Sequence, residues 1–120
     1  MKRWFVTLLA FCSLPVFGME VDTISEDKAS DYLNQEVMLC GLVKQVTSIG
    51  ESTYLNLGGI YPNQKIAFVI PVNELPLFAS KFGELDVLQN KQACAKGIIT
   101  ENDGKLQIVV RDPQFLRFMK

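Results

Sequence analysis

Two cysteines, Cys40 and Cys94, restrict what this chain can fold into more than any other pair of residues. Each lies in a short apolar run close to a glycine, Val37-Met38-Leu39-Cys40-Gly41-Leu42-Val43 and Ala93-Cys94-Ala95-Lys96-Gly97-Ile98-Ile99. Short apolar runs of this kind read as strands, and the cysteine pair predicts a disulfide between two of them, tying the start of the fold to its end. In the chain-entropy account, closing a loop of about 55 residues stabilises by roughly 4 kcal/mol. Two buried free thiols are the competing reading. A redox pair is disfavoured, because no Cys-x-x-Cys spacing occurs.

The first eighteen residues bear on the compartment. Lys2 and Arg3 precede the apolar stretch Trp4 to Leu14, then Pro15 and Val16-Phe17-Gly18. That pattern predicts a secretory signal peptide over residues 1–18, cleaved after Gly18, and a periplasmic or secreted destination. A retained anchor competes with this reading, but the apolar run falls well short of the roughly 20 residues that span a bilayer. Cys12 follows Phe11 instead of a small residue, which argues against lipoprotein processing, and it leaves with the leader. Loss of Lys2 and Arg3 from the 12 basic side chains, against 13 acidic ones all beyond the leader, takes the net charge from −1 to −3. Residues 19–120 then form one small domain, of a size at which a covalent staple in an oxidising compartment is useful.

Beyond the leader, the pattern predicts a mostly β domain with two short helices. Ser25 to Leu33 reads as an amphipathic helix, with Ser25 as N-cap, Glu26 and Asp27 in the first turn, and Ala29, Tyr32 and Leu33 on one side. A first strand is predicted from about Val37 to Val46, ending in the polar turn 47–52. A second follows over Thr53 to Leu57, with Leu55 and Leu57 toward a core and Tyr54 and Asn56 away from it. In the third strand Ile66, Phe68 and Ile70 share one face, Lys65, Ala67 and Val69 the other, and Pro71 marks the end. A helix capped by Asn73, tolerant of Pro76 and stopped by Gly83, places Leu75, Phe78, Ala79 and Phe82 at helical spacing. A fourth strand spans about Gln92 to Thr100, and the turn Asn102-Asp103-Gly104 joins it to a fifth, Lys105 to Val110. The terminal Phe115, Leu116 and Phe118 are expected to pack as a short apolar turn.

The order strand, strand, strand, helix, strand, strand, with glycines interrupting the first and fourth, is expected of the OB-fold, a five-stranded Greek-key barrel. Cys40-Gly41-Leu42-Val43, Thr53-Tyr54-Leu55-Asn56-Leu57-Gly58, Tyr61-Pro62-Asn63-Gln64, Phe68-Val69-Ile70 and Gly97-Ile98-Ile99 together resemble the OB-fold domains found alone or beside nuclease domains in secreted bacterial proteins. The resemblance extends from about Val37 to Leu116. It implies that the first and fourth strands are neighbours, so that Cys40 and Cys94 form a cross-strand bridge. Both cysteines share strand parity with a lysine, Lys44 or Lys96, and so are expected on an outward face. Gly41 and Gly97 are expected to permit sharp coiling at barrel corners.

OB-folds bind ligands across the second and third strands. Here that surface would display Tyr54, Asn56, Lys65 and Ala67, with Tyr61 nearby and Lys105, Gln107 and Arg111 on the adjacent strand. The candidate ligand-binding residues are therefore Tyr54, Asn56, Tyr61, Lys65, Lys105 and Arg111. An exposed tyrosine can stack on a base and a lysine can offset phosphate charge, although packing tyrosines and solvated charges are the plainer reading of both. The acidic balance also runs against the basic excess usual among nucleic-acid binders.

Catalysis is not expected. The chain has no histidine, its paired cysteines would be oxidised, and acidic residues such as Glu101, Asp103, Glu84 and Asp86 fall in expected turns. No cofactor is expected and no EF-hand pattern is present, which leaves the Asn102-Asp103-Gly104 turn as a weak cation site at most. Two function classes remain. One is an exported binding module for single-stranded nucleic acid or another oligomeric polyanion. The other is an envelope protein-protein interaction module, suggested by the acidic charge and by Val69 and Val109 on strand faces expected to point outward.

Overall fold

The computed structural model describes residues 21–119. The expected leader, with Cys12 and the cleavage point after Gly18, lies outside them. Among the described residues, no helix is long and apolar enough to cross a membrane.

A single long strand organises the molecule. β1 (Asp22–Ser25) is followed by a 3₁₀ turn (Glu26–Tyr32) and then β2 (Glu36–Ile49), which serves two sheets. Its first half lies between β1, in parallel, and β5 (Gln92–Ile98), antiparallel, while its second half pairs antiparallel with β3 (Ser52–Leu57). The change of partner occurs at a bulge between Val43 and Gln45. There the Val43 amide donates to Lys91 O at 2.9 Å and its carbonyl accepts from Asn90 N at 2.7 Å, so the bend leaves no backbone group of Val43 unmet.

β3 pairs with β4 (Ile66–Pro71), and β4 pairs in parallel with β7 (Lys105–Val109). β7 forms a hairpin with β6 (Thr100–Asn102), and β8 (Leu116–Met119) adds to β5. The order across the sheet is β6-β7-β4-β3-β2-β5-β8, with β1 on β2. The expected five-strand sequence is present, but among the described residues the strands number eight and the ring is open. The opening lies where the fourth strand was expected to run unbroken to Thr100. Ile99 instead turns into the core, fully buried, and its backbone exchanges hydrogen bonds with Asn34 N and Gln35 O.

The core confirms the period-two reading. Val37, Leu39, Leu55, Leu57, Ile66, Phe68, Ile70 and Ile108 are all buried on one side. α1 (Leu75–Phe82) closes one end with Phe78 wholly buried, and Phe82 meets Phe118 edge-on at 5.0 Å between ring centroids. Gly83 stops α1 at φ +79°, its amide bonded to Ala79 O at 2.9 Å.

Other expectations are corrected. The first strand runs to Ile49, three residues into the predicted turn. Residues 26–32 form a 3₁₀ turn, and the Ser25 side chain accepts no capping hydrogen bond from it. Asn73 lies in a 3₁₀ turn (Val72–Glu74) before α1, and Ala79 is exposed. The C-terminal apolar residues belong to a strand, with Leu116 buried. Val69 does not point into open solvent, being only 5% exposed, while Val109 is half-buried.

Cys40 and Cys94 are direct cross-strand partners and form the disulfide. The bridge stands on the face opposite the core, as the shared parity with Lys44 and Lys96 requires, beside Met38, Arg117 and Met119. Neither Gly41 nor Gly97 has a positive φ, and both serve close approach. A Cβ at Gly97 would lie 2.6 Å from Ile108 Cγ2, and one at Gly41 would lie 2.6 Å from Leu57 Cδ2.

Candidate functional site

The outer face of β3 and β4 is built from a row of residues in register. Gln45 on β2 stands opposite Asn56 on β3, Asn56 opposite Ala67 on β4, and Ala67 opposite Gln107 on β7. Carboxamides flank one small side chain, and the gap above Ala67 is the floor of a cavity of about 220 Å³. Tyr54 and Ile49 form one wall, Tyr61 and Gln64 another, and Asn102, Asp103, Lys105, Leu106 and Gln107 a third.

Both lips have local causes. The β6–β7 hairpin turns through Asp103 at φ +52° and Gly104 at φ +76°, a left-handed pair that Asp-Gly adopts readily. Residues 58–65 form the opposite lip. Gly58 takes φ +78°, the Lys65 amide returns to Leu57 O at 2.8 Å, and the Asn63 amide to Ile60 O at 2.6 Å. Tyr61 is half in solvent at 52% exposure and is anchored through its backbone, whose N–H donates to Gln45 Oε1 at 2.9 Å.

Gln45 Oε1 also accepts from Asn56 Nδ2 at 2.8 Å. Asn56 is 1% exposed, and its Oδ1 has no hydrogen-bond partner among the described residues. Gln64 Oε1 is likewise buried without one.

The cavity gathers Tyr54, Asn56, Tyr61 and Lys105 from the six candidate residues. Lys65 and Arg111 lie elsewhere. Lys65 turns to the other side of its loop and pairs with Asp27, 38 residues away, in a depression beside Glu26 and Ser30. The hydrogen bond and charge of Lys65 hold the Asp27 carboxyl below its ordinary 3.8, and Asp27 raises the Lys65 ammonium in return. Arg111 Nη1 reaches Glu74 Oε1 at 3.2 Å, at the end of the domain closed by α1. No three His, Cys, Asp or Glu side chains converge among the described residues.

Sequence reasoning missed Gln64, Ile49 and Leu106 in this lining, and Gln45, which bonds to Asn56 and to the Tyr61 backbone. Strict alternation from Val43 puts Gln45 on the core side, and only the bulge carries it to the outer face. Gln64 was legible only as part of a loop.

No protein-family model matches this chain, and no curated protein sequence matches it. Solved structures do. A putative aspartyl-tRNA synthetase from Leishmania major Friedlin aligns at TM-score 0.54 and 9% identity, covering 91% of this chain and 22% of that one. The S. pombe Stn1-Ten1 complex aligns at TM-score 0.51 and 7% identity, covering 71% and 58%. An OBody bound to hen egg-white lysozyme aligns at TM-score 0.50 and 14% identity, covering 75% and 80%. The chain has the OB-fold. It spans a little over half of the matched Stn1-Ten1 chain and about a fifth of the synthetase. At these identities the likeness extends to the fold, and the cavity is a property of this chain's own residues.

Proposed function

We propose that this protein is an exported, non-catalytic OB-fold binding module that takes single-stranded nucleic acid at the cavity on β3 and β4. The observation that carries the reading is the meeting of Tyr54, Asn56, Tyr61 and Lys105 at one concave site, on the face where the OB architecture receives ligands. Tyr54 and Tyr61 supply π-faces, and stacking is worth about 1–3 kcal/mol per base. Export is supported by the apolar leader and by the cross-strand disulfide, which suits an oxidising compartment.

The electrostatics make the binding mode specific. With Lys65 and Arg111 engaged by carboxylates, Lys105 is the cation in the cavity lining. One phosphate contact on a single strand gives a slope of log K against log salt of about −0.7. Binding therefore rests on stacking and hydrogen bonding more than on counterion release.

Fluorescence anisotropy of labelled single-stranded DNA and RNA over a salt series tests this. Saturable binding with a shallow slope, weakened roughly five- to a hundredfold by Tyr61→Ala, is the expected result. A flat titration, or a steep slope indifferent to Tyr61→Ala, would refute it.

A protein-interaction role is the second reading. Ile49, Ile60 and Tyr61 are exposed apolar or aromatic residues, and two of them line the cavity. Recovery of one partner by crosslinking through Ile60 or Tyr61, together with a flat oligonucleotide titration, would favour it.

A further inference from the structure

The orientation of the Asn56 carboxamide is set by a chain of hydrogen bonds that starts at the backbone. A backbone N–H only donates, so the Tyr61 amide identifies the Gln45 atom it meets as the oxygen, Oε1. That oxygen also faces Asn56, which must present its Nδ2 to it. Asn56 Oδ1 is thereby turned away from Gln45 and left as a buried acceptor without a partner among the described residues, in a side chain that lines the cavity. Turning the amide over would set two oxygens against each other. Gln64 Oε1, on the facing lip, is a second buried and unpaired acceptor.

A site that holds a fixed, unsatisfied acceptor favours a ligand edge carrying N–H donors and penalises one carrying oxygens. The remaining walls suit a flat ring: Tyr54, Tyr61 and Leu106 give it apolar and aromatic surface, and Ala67 leaves the floor open. We infer that the cavity reads a nucleobase bearing an exocyclic amino group, received by Asn56 Oδ1 with Gln64 Oε1, and discriminates against uracil and thymine. Uracil presents its one ring N–H between two carbonyl oxygens, which bring like against like at this acceptor pair. Gln45 acts as the positioning residue, since it determines which way Asn56 faces. The inference rests on the nucleic-acid reading above and adds to it the edge of the base that is recognised.

Cytosine and uracil oligomers make the test, because uracil replaces the C4 amino group of cytosine by an oxygen and its bare ring nitrogen by the N–H that lies between two carbonyls. Fluorescein-labelled oligo(dC) and oligo(dU) of equal length are titrated with the oxidised protein. The native chain is expected to prefer oligo(dC) by about tenfold or more, the discrimination that a well-placed base-edge contact provides. Asn56→Leu removes the acceptor and is expected to bring the ratio close to unity. Gln45→Met removes the group that orients Asn56 and is expected to do the same while binding persists, an effect that general loosening of the fold would not produce selectively. Gln45 is half-buried, so this variant decides the matter if Asn56→Leu does not fold. Equal binding of both oligomers by the native protein, preference for oligo(dU), or an undiminished ratio in Gln45→Met overturns the inference while leaving the nucleic-acid reading in place. Absence of binding to either oligomer overturns both.

Discussion

Replacing Cys40 and Cys94 together by alanine opens a loop whose ends are 54 residues apart in sequence. In the chain-entropy account a loop of this length contributes about 14 cal/mol/K, or roughly 4 kcal/mol at 25 °C, by limiting the unfolded ensemble. The bridge sits outside the core, on the far side of β2 and β5, so its removal leaves no void among Val37, Leu39, Ala93 and Ala95. Lost contacts with Met38 and Met119 add about 1 kcal/mol at most. For a domain whose whole stability is of the order of 5–15 kcal/mol, the variant should lose about a quarter or more, with Tm lower by roughly 15–30 °C. Trp4 is the chain's single tryptophan and lies outside the described residues, so urea unfolding is followed by far-ultraviolet circular dichroism. The denaturant slope should also rise, because an uncrosslinked chain exposes more surface on unfolding. A loss below about 1 kcal/mol with an unchanged slope would refute the account.

Phe78→Ala should cost about 3–5 kcal/mol in the same assay, since that ring is wholly buried, whereas Leu77→Ala beside it, more than half exposed, should stay within about 0.5 kcal/mol. Gly97→Ala should cost roughly 1–3 kcal/mol, because the new methyl meets the stiff, buried Ile108; a neutral result would mean that the β5–β7 contact yields freely. The Asp27–Lys65 pair has a defined pH signature. Asp27 is depressed, so its contribution is present above its ordinary 3.8 and is lost as pH falls through its folded value; that of Lys65 is present below its ordinary 10.5 and is lost as pH rises through its raised value. Both groups are open to solvent, so the stability difference between native and Asp27→Asn protein should be small at neutral pH, vanish at strongly acid pH and shrink in high salt. Asp27→Asn also frees Lys65 on the loop beside the cavity, and the salt slope of oligonucleotide binding should steepen by at most about 0.7; a steeper change would implicate cations outside the cavity.

Much of the architecture is written in local pattern. Alternation assigns Leu55, Leu57, Ile66, Phe68 and Ile70 to the core, Gly83 and the Asp103-Gly104 pair stop or turn the chain, and the two cysteines register β2 against β5. These features are legible because each depends on a residue's own conformational preference or on a period of two. The candidate face was legible for the same reason, and four of its six residues do meet at the cavity. What alternation cannot express is the point where it breaks. The bulge after Val43 reverses the parity that would have buried Gln45, and the inward turn of Ile99, held by Asn34 and Gln35, opens a ring that the strand order alone would close.

Nor does a period of two tell what covers a face or which charges meet. Val69 lies on the outer face as its position requires, yet it is buried because Tyr54 stands opposite it on β3 and Val109 on β7. Lys65 and Arg111 looked like free cations and are engaged by Asp27 and Glu74, partners 38 and 37 residues distant that only the folded chain brings near. By itself the sequence determined the order of the main strands, the staple and the face of the sheet on which the cavity lies. The tertiary structure decided which side chains share a cavity, which cations are already neutralised, and that Asn56 keeps an acceptor to spare, because each depends on contacts between segments far apart along the chain.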